Sequence, residues 1–421
     1  MRALRSALLA ALLAPGAALA TAGYFQLGYG IKAKGMGGVA VALPQDALAA
    51  AANPAGMVWV GSRWDAGLEA FEADRGSEIR GNVLGLSGHR DANGRKRFPV
   101  PDFGWNRMLG EGRSVGVSVY GNGGTTRYAD NPLASLGGSS PAGMELYQGI
   151  VAPSFAVKLG ERHSVGVALN LVLQRFVARG IEHFDDPIFS QAPGSVTNRG
   201  HDRAAGLGVR LGWLGRVTGR TTLGASWQPK IRMQRFERYR GLLAEGGRFD
   251  VPENFAIGAA VKATPELTLA ADLQRILFST VPSLGRSSGC FLDETCLLGA
   301  ADGAGSGWRN TTVLKLGVSW EAMPGLTLRG GVALLRSPIR PSDTLLAVFA
   351  PAVSEKHLTL GATWRLAPGR ELSFSYQHAF PNAVQGSNSV PPGFPPGGVG
   401  GGEAAVRMKQ RGFGVALGWA L

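Results

Sequence analysis

The sequence predicts an all-β chain that closes as a 14-stranded antiparallel transmembrane β-barrel. Three observations carry this. Segments of large apolar residues alternating with small or polar ones recur along the chain. The connections between them alternate between short and long. The last segment runs to the final residue with Phe413, Val415, Leu417, Trp419 and Leu421 on one face. A period of two marks strands with two unlike faces.

The elements follow in order. "MRALRSALLAALLAPGAALATAG" places Arg2 and Arg5 before an apolar core, and both Ala18-Leu19-Ala20 and Ala20-Thr21-Ala22 fit an A-x-A cleavage site. This predicts a signal peptide over residues 1–22, because the apolar run is too short to span a bilayer and Pro15-Gly16 breaks it. "DALAAAANPAGM" (46–57) predicts a short helix of small residues that stops at Asn53-Pro54, since Pro54 cannot continue a helix and holds Asn53 extended. Strands are then predicted over 62–73, 98–108, 113–121, 145–159, 164–178, 203–214, 221–229, 253–262, 267–277, 309–320, 326–335, 356–366, 371–379 and 406–421.

The connectors decide the architecture. "LGEGR", "LGERH", "GRVTGR", "ATPE", "AMPG" and "APGR" are short, whereas 74–97, 122–144, 179–202, 230–252, 278–308, 336–355 and 380–405 are long. That alternation leaves both chain ends at the short-turn side, the layout of an outer-membrane barrel with short periplasmic turns and long external loops. Residues 380–405, rich in Pro and Gly, are expected to be loop and not central strand.

Composition narrows the function classes. Gly is 63 of 421 residues without a G-X-Y period, which excludes collagen. The formal charge of +13 on an exported chain points to outer-membrane lipid and lipopolysaccharide phosphates rather than nucleic acid. Cys290 and Cys296, with five residues between them in a polar loop of an exported chain, predict a disulfide. No metal or other cofactor is expected: the histidines lack ligand spacing, and only Asp293 and Glu294 lie near the cysteines. Gly285-Arg286-Ser287-Ser288-Gly289 fits G-x-S-x-G but falls in a long loop, not between strand and helix, so no enzyme is expected.

Four stretches share a further likeness: "AGYFQLGYGIKAKGMGGVAVALPQDALAAAANPAGM", "VPENFAIGAAVKATPELTLAADLQRILFS" (251–279), "WRNTTVLKLGVSWEAMPGLTLRGGVALLRSPI" (308–339) and "APAVSEKHLTLGATWRL" (350–366). In this order and spacing they resemble the FadL/TodX-type family of outer-membrane hydrophobic-compound transporters. The resemblance implies that residues 23–58 form an N-terminal hatch with short helices plugging a barrel of 59–421. It implies passive uptake of long-chain fatty acids or other hydrophobic compounds. Capture would occur in a groove of the external loops, followed by a hatch-side pocket and lateral exit where the third strand kinks inward. The alternating final strand is the type of ending carried by chains that the outer-membrane assembly machinery inserts, and a monomer is expected.

Residue by residue, the family's hatch motif falls on Asn53, Pro54 and Ala55, with Asn53 expected to satisfy backbone groups near the kinked wall. The kink falls on Tyr120, Gly121 and Gly123, a stretch that reads equally as the Gly-rich start of an ordinary loop. The capture groove falls on Ile181, Phe184, Ile188 and Phe189 of the third long loop, and on Ile231, Met233, Phe236, Leu242 and Leu243 of the fourth. Clustered apolar loop residues signal a binding surface, or pack the two loops together. Arg175 matches a position for contact with a carboxylate and reads equally as a charge of the barrel interior; no Lys partner stands near residue 305. The cargo therefore stays open between fatty acids and aromatic or aliphatic hydrocarbons. A structural barrel, such as an adhesin or phage receptor, is the competing class.

Overall fold

The computed structural model describes residues 22–394 and 398–421. The signal peptide expected over 1–22 lies, apart from Ala22, outside them. Fifteen strands form one antiparallel sheet. Fourteen make the wall: β1 (Arg63–Arg80), β2 (Arg97–Met108), β3 (Arg113–Thr125), β4 (Gly143–Leu159), β5 (His163–Arg179), β6 (Asp202–Arg216), β7 (Thr221–Gln228), β8 (Asn254–Lys262), β9 (Leu267–Ile276), β10 (Thr311–Met323), β11 (Leu326–Leu335), β12 (Lys356–Ala367), β13 (Arg370–Val384) and β14 (Glu403–Ala420). The barrel closes where β14 pairs with β1, from Arg63↔Ala420 to Arg80↔Glu403. The remaining strand, Gly88–Asp91, is a flap of the first long loop that folds back on Gly76–Ile79.

All fourteen expected strands are present, and several run further at their long-loop ends. β1 continues to Arg80 instead of 73, through "DRGSEIR", where neither face is apolar. Above the bilayer a strand meets water or loop on both sides, so the alternation that reveals it from sequence disappears. β13 also runs on, to Val384, and corrects the assignment of 380–405 as loop throughout. Its pairing with β14 breaks between Ala379 and Asn382, and this bulge admits Pro381 without a missing ladder bond.

The two faces of the wall are chemically distinct. On β5, Leu169, Leu171 and Leu173 are exposed, while Ala168, Asn170 and Val172 between them are buried. The exposed face is the one that acyl chains would cover. Trp320, Trp364 and Trp419 are exposed near the short-turn ends of their strands, the position of an aromatic girdle.

Residues 22–60 lie inside the barrel as the hatch. They contain the helix α1 (Ile31–Lys34) and two 3-10 turns, Ala49–Ala51 and Pro54–Trp59. Polar wall side chains tie the hatch down around the circumference. Lys34 Nζ meets Glu69 at 2.7 Å and Asp102 at 3.7 Å. Lys32 meets Glu371 at 2.6 Å. Asp272 Oδ2 accepts from the backbone N–H of Ala40 and Val41 at 2.7 and 3.0 Å.

The high glycine content has a packing cause here. A Cβ at Gly104 would stand 2.4 Å from the Ala47 carbonyl carbon, and one at Gly331 would stand 2.3 Å from Gly37 N. The hatch backbone rests directly on the wall backbone, which only glycine permits.

Candidate functional site

Between the hatch and the long loops lies a cavity of about 100 Å³. Gly23 and Tyr24 of the hatch form its floor, Phe71, Leu146 and Phe176 belong to its walls, and Phe249, Trp308 and Phe349 come from three long loops. Rings crowd its base: Tyr24 stands 5.9 Å from Phe249 and 6.1 Å from Phe278, and Phe278 stands edge-on to Trp308 at 5.2 Å. A site built this way from apolar groups takes up apolar molecules.

Beside the cavity the wall is incomplete. β2 and β3 pair only from Phe103↔Val119 to Met108↔Ser114. Above that level Arg97–Asp102 pair with β1 alone, and Tyr120–Thr125 pair with β4 alone.

Continuing the register would set Pro101 opposite Gly121 and Pro99 opposite Gly123. Ala73 N–H donates to Lys96 O at 3.0 Å, and Leu109 N–H donates to Arg113 O at 2.8 Å. Bonded pairs alternate along an antiparallel ladder, so Pro99 and Pro101 fall where an N–H would be needed to bond β3, and proline has none. The groups freed on β3 go to the hatch: Gln26 Nε2 donates to Gly121 O, and Gly123 N–H donates to Tyr24 O at 2.9 Å. Tyr120, Gly121 and Gly123 thus form the stretch where β3 leaves β2 and turns to the hatch.

The break in the ladder adjoins the cavity. Phe71 and Ala73 line the cavity and also belong to a buried cluster with Phe98 and Val100 of β2 and Tyr147 of β4, the strands on either side of β3. Two guanidiniums stand over Phe98, those of Arg75 at 5.6 Å and Arg95 at 5.5 Å.

The hatch motif sits elsewhere. Asn53 caps the turn Pro54–Trp59 through Oδ1, which accepts from Ala55 N–H at 3.1 Å, and its Nδ2 donates to Val41 O and Trp213 O, both at 2.8 Å. The expected partner near the kinked wall is therefore replaced by β6, on which a Cβ at Gly212 would stand 2.0 Å from Asn53 Oδ1. The proline also does more than stop a helix: one 3-10 turn ends at Ala51, and Pro54 begins the next.

The loop residues assigned to a capture groove do not line an open surface. Ile181, Phe184, Phe189, Ile231, Met233, Phe236, Leu242 and Leu243 are buried, and Ile188 is 45 % exposed. Phe184 packs on Phe189 at 5.6 Å and on Phe291 at 5.2 Å; Phe176 packs on Phe236 at 5.5 Å. Burying these rings removes more apolar surface from water than a groove would, so the loops close into a packed cap. Leu243 reaches the cavity from this cap. Phe291 lies within the loop that the Cys290–Cys296 disulfide closes.

Arg175 does not line the cavity. It is half-buried, its Nη2 stands 2.9 Å from His201 Nε2, and its guanidinium stands 5.6 Å from the Tyr147 ring. The guanidinium that lines the cavity is that of Arg75, which sequence reasoning missed, as it missed Pro99 and Pro101. The prolines carried a legible signal, since two in one strand mark an unpaired edge. Arg75 carried none, because "EADRGSEIR" reads as solvated charge. In the G-x-S-x-G stretch, Ser287 Oγ donates to Asp343 Oδ1 at 2.9 Å as a loop tie.

Comparison with known proteins places this geometry. The family model described as outer membrane protein transport protein (OMPP1/FadL/TodX) matches residues 8–392. The toluene transporter TodX of Pseudomonas putida superimposes with a TM-score of 0.68 at 15 % identity, covering 95 % of this chain and 100 % of that one. A FadL homologue of Pseudomonas aeruginosa gives 0.68 at 15 %, covering 94 % and 99 %. The toluene transporter TbuX of Ralstonia pickettii gives 0.61 at 17 %, covering 94 % and 99 %. These likenesses concern the fold. No curated protein matches the sequence.

Proposed function

The chain belongs to the OMPP1/FadL/TodX family of outer membrane transport proteins, and we propose that it passes compact hydrophobic molecules inward by way of the cavity and out sideways between β2 and β3. The observation that carries this reading is the adjacency of an apolar cavity and a break in the wall, joined through Phe71 and Ala73. Molecules that partition from water into the cavity would need only a short step past Phe98 and Tyr147 to reach lipid. No energy source is required, because partition into the bilayer is downhill.

The size of the cavity supports a compact cargo. An apolar cavity of about 150 Å³ in another protein takes up benzene, and the one here is about 100 Å³. It fits a ring-sized body or a segment of chain better than an extended long-chain acyl tail. Uptake of long-chain fatty acids is the second reading, for which the loop cap would have to open further. Contact with lipopolysaccharide, assembly by the outer-membrane machinery and a monomeric state belong to the same proposal.

The test is uptake of toluene and of oleate by a strain lacking this protein, complemented with wild type or with Gly124→Leu. Gly124 lines the cavity, and a Cβ there meets nothing within 4 Å, so a leucine at this position starts from open space and narrows the cavity. We expect wild type to restore toluene uptake and the variant to lose most of it. Equal uptake with and without the protein, for both compounds, would contradict transport and favour a surface-interaction barrel.

A further inference from the structure

Arg75 is 2 % exposed and lines a cavity that is otherwise almost wholly apolar. Burying an unpaired charge is costly, so buried cations are ordinarily matched by an acid. Among the described residues no carboxylate oxygen lies within the 4.0 Å of an ion pair with Arg75. Its neighbour Asp74 is committed elsewhere, to Lys409 at 3.2 Å, Arg407 at 3.5 Å and Asn93 Nδ2 at 2.9 Å. The guanidinium donates once to a neutral group, from Nη2 to Arg95 O at 2.6 Å, and lies 5.6 Å from the Phe98 ring. Its Nε donor is buried and has no partner.

We propose that Arg75 is the anion-recognition residue of this cavity, so that the compounds it holds best carry one carboxylate on a compact apolar body. The inference rests on the reading that the cavity admits cargo. Arginine suits the task because it stays charged and offers donors in a planar fork that matches a carboxylate. The ligand's apolar part would lie against Phe71, Leu146 and Phe176, and its carboxylate would meet the open Nε edge. Arg75 also sits over Phe98 at the mouth of the wall opening, so a carboxylate held there is delayed at the exit, whereas a neutral hydrocarbon is not.

The experiment measures calorimetric binding to the full-length mature barrel in lipid nanodiscs. The two probes are 4-methylbenzoate and p-xylene, which differ by a carboxylate in place of a methyl group. Wild type, Arg75→Met and Arg75→Lys are compared after each is shown to be folded by its heat-modifiable mobility. We expect Arg75→Met to weaken 4-methylbenzoate roughly tenfold or more, as loss of a charge-assisted hydrogen bond requires, and to leave p-xylene within about twofold. Arg75→Lys should fall between, since it keeps the charge without the fork. The proposal is overturned if Arg75→Met binds 4-methylbenzoate like wild type, or if folded Arg75→Met loses both probes equally. Wild type that binds p-xylene alone overturns the role of Arg75 and leaves the transport reading standing. Wild type that binds neither probe removes the cavity reading itself, and this proposal with it.

Discussion

Asn53 places three hydrogen bonds on one buried side chain, joining two hatch segments to β6. Replacing it with alanine takes their side-chain partner from the Val41 carbonyl and the Ala55 N–H, at a cost of about 1–3 kcal/mol for each unsatisfied buried group. We expect Asn53→Ala to lower the thermal midpoint in detergent and to speed hydrogen exchange over residues 49–58 before exchange in the wall changes. Unchanged exchange there would show that the motif is not what holds the hatch.

Asp46 makes a pH-dependent contribution. Burial, then the negative charge of Asp65, push its carboxyl up to about 7, against the pull of Lys32 and Arg63. The folded hatch therefore holds this proton more tightly than the unfolded chain does. The stabilisation is complete below pH 4 and is lost as pH rises through about 7. Between pH 4 and 8, wild type should lose more of its thermal midpoint than Asp46→Asn, and equal losses would contradict the assignment. The motif Asn-Pro-Ala was visible in the sequence. Its partners were not, because Trp213 lies 160 residues away and only the closed barrel brings it to Asn53.

At the scale of elements, β2 and β3 show what alternation reveals and what it conceals. Both strands were legible from their period of two, and the resemblance set a kink of β3 at Tyr120, Gly121 and Gly123, beyond the last residue of β3 that pairs with β2. The cause on the opposite strand was overlooked, although "RFPVPDF" states it: Pro99 and Pro101 withhold the two donors that would extend the ladder. Restoring them in Pro99→Thr/Pro101→Thr should let β2 and β3 pair further, raise the thermal midpoint and slow toluene entry into proteoliposomes. Faster or unchanged entry through a folded double variant would argue against exit at this edge. The long loops were less legible. Apolar loop residues look alike in sequence whether they form an open groove or a packed cap, and only the placement of Phe176, Phe236 and Phe291 against them separates the two.

The whole molecule follows from a simple constraint. A bilayer admits a sheet only if every edge is paired, so fourteen amphipathic strands close on themselves. The alternation of long and short connections made that closure readable, and the hatch fills the lumen so created. The exception is the stretch beside the cavity, where the hatch itself takes the bonds that β2 declines. Labelling with a photoreactive toluene analogue carrying a diazirine, followed by peptide mapping, tests this route most directly. Label competed by toluene is expected on Phe71, Phe98 and Tyr147, along the line from cavity to wall opening. Label concentrated instead around Leu43, Trp59 and Arg216, which line a second cavity reached by the short-turn ends of β6, β7 and β8, would show axial passage through the hatch and contradict lateral exit.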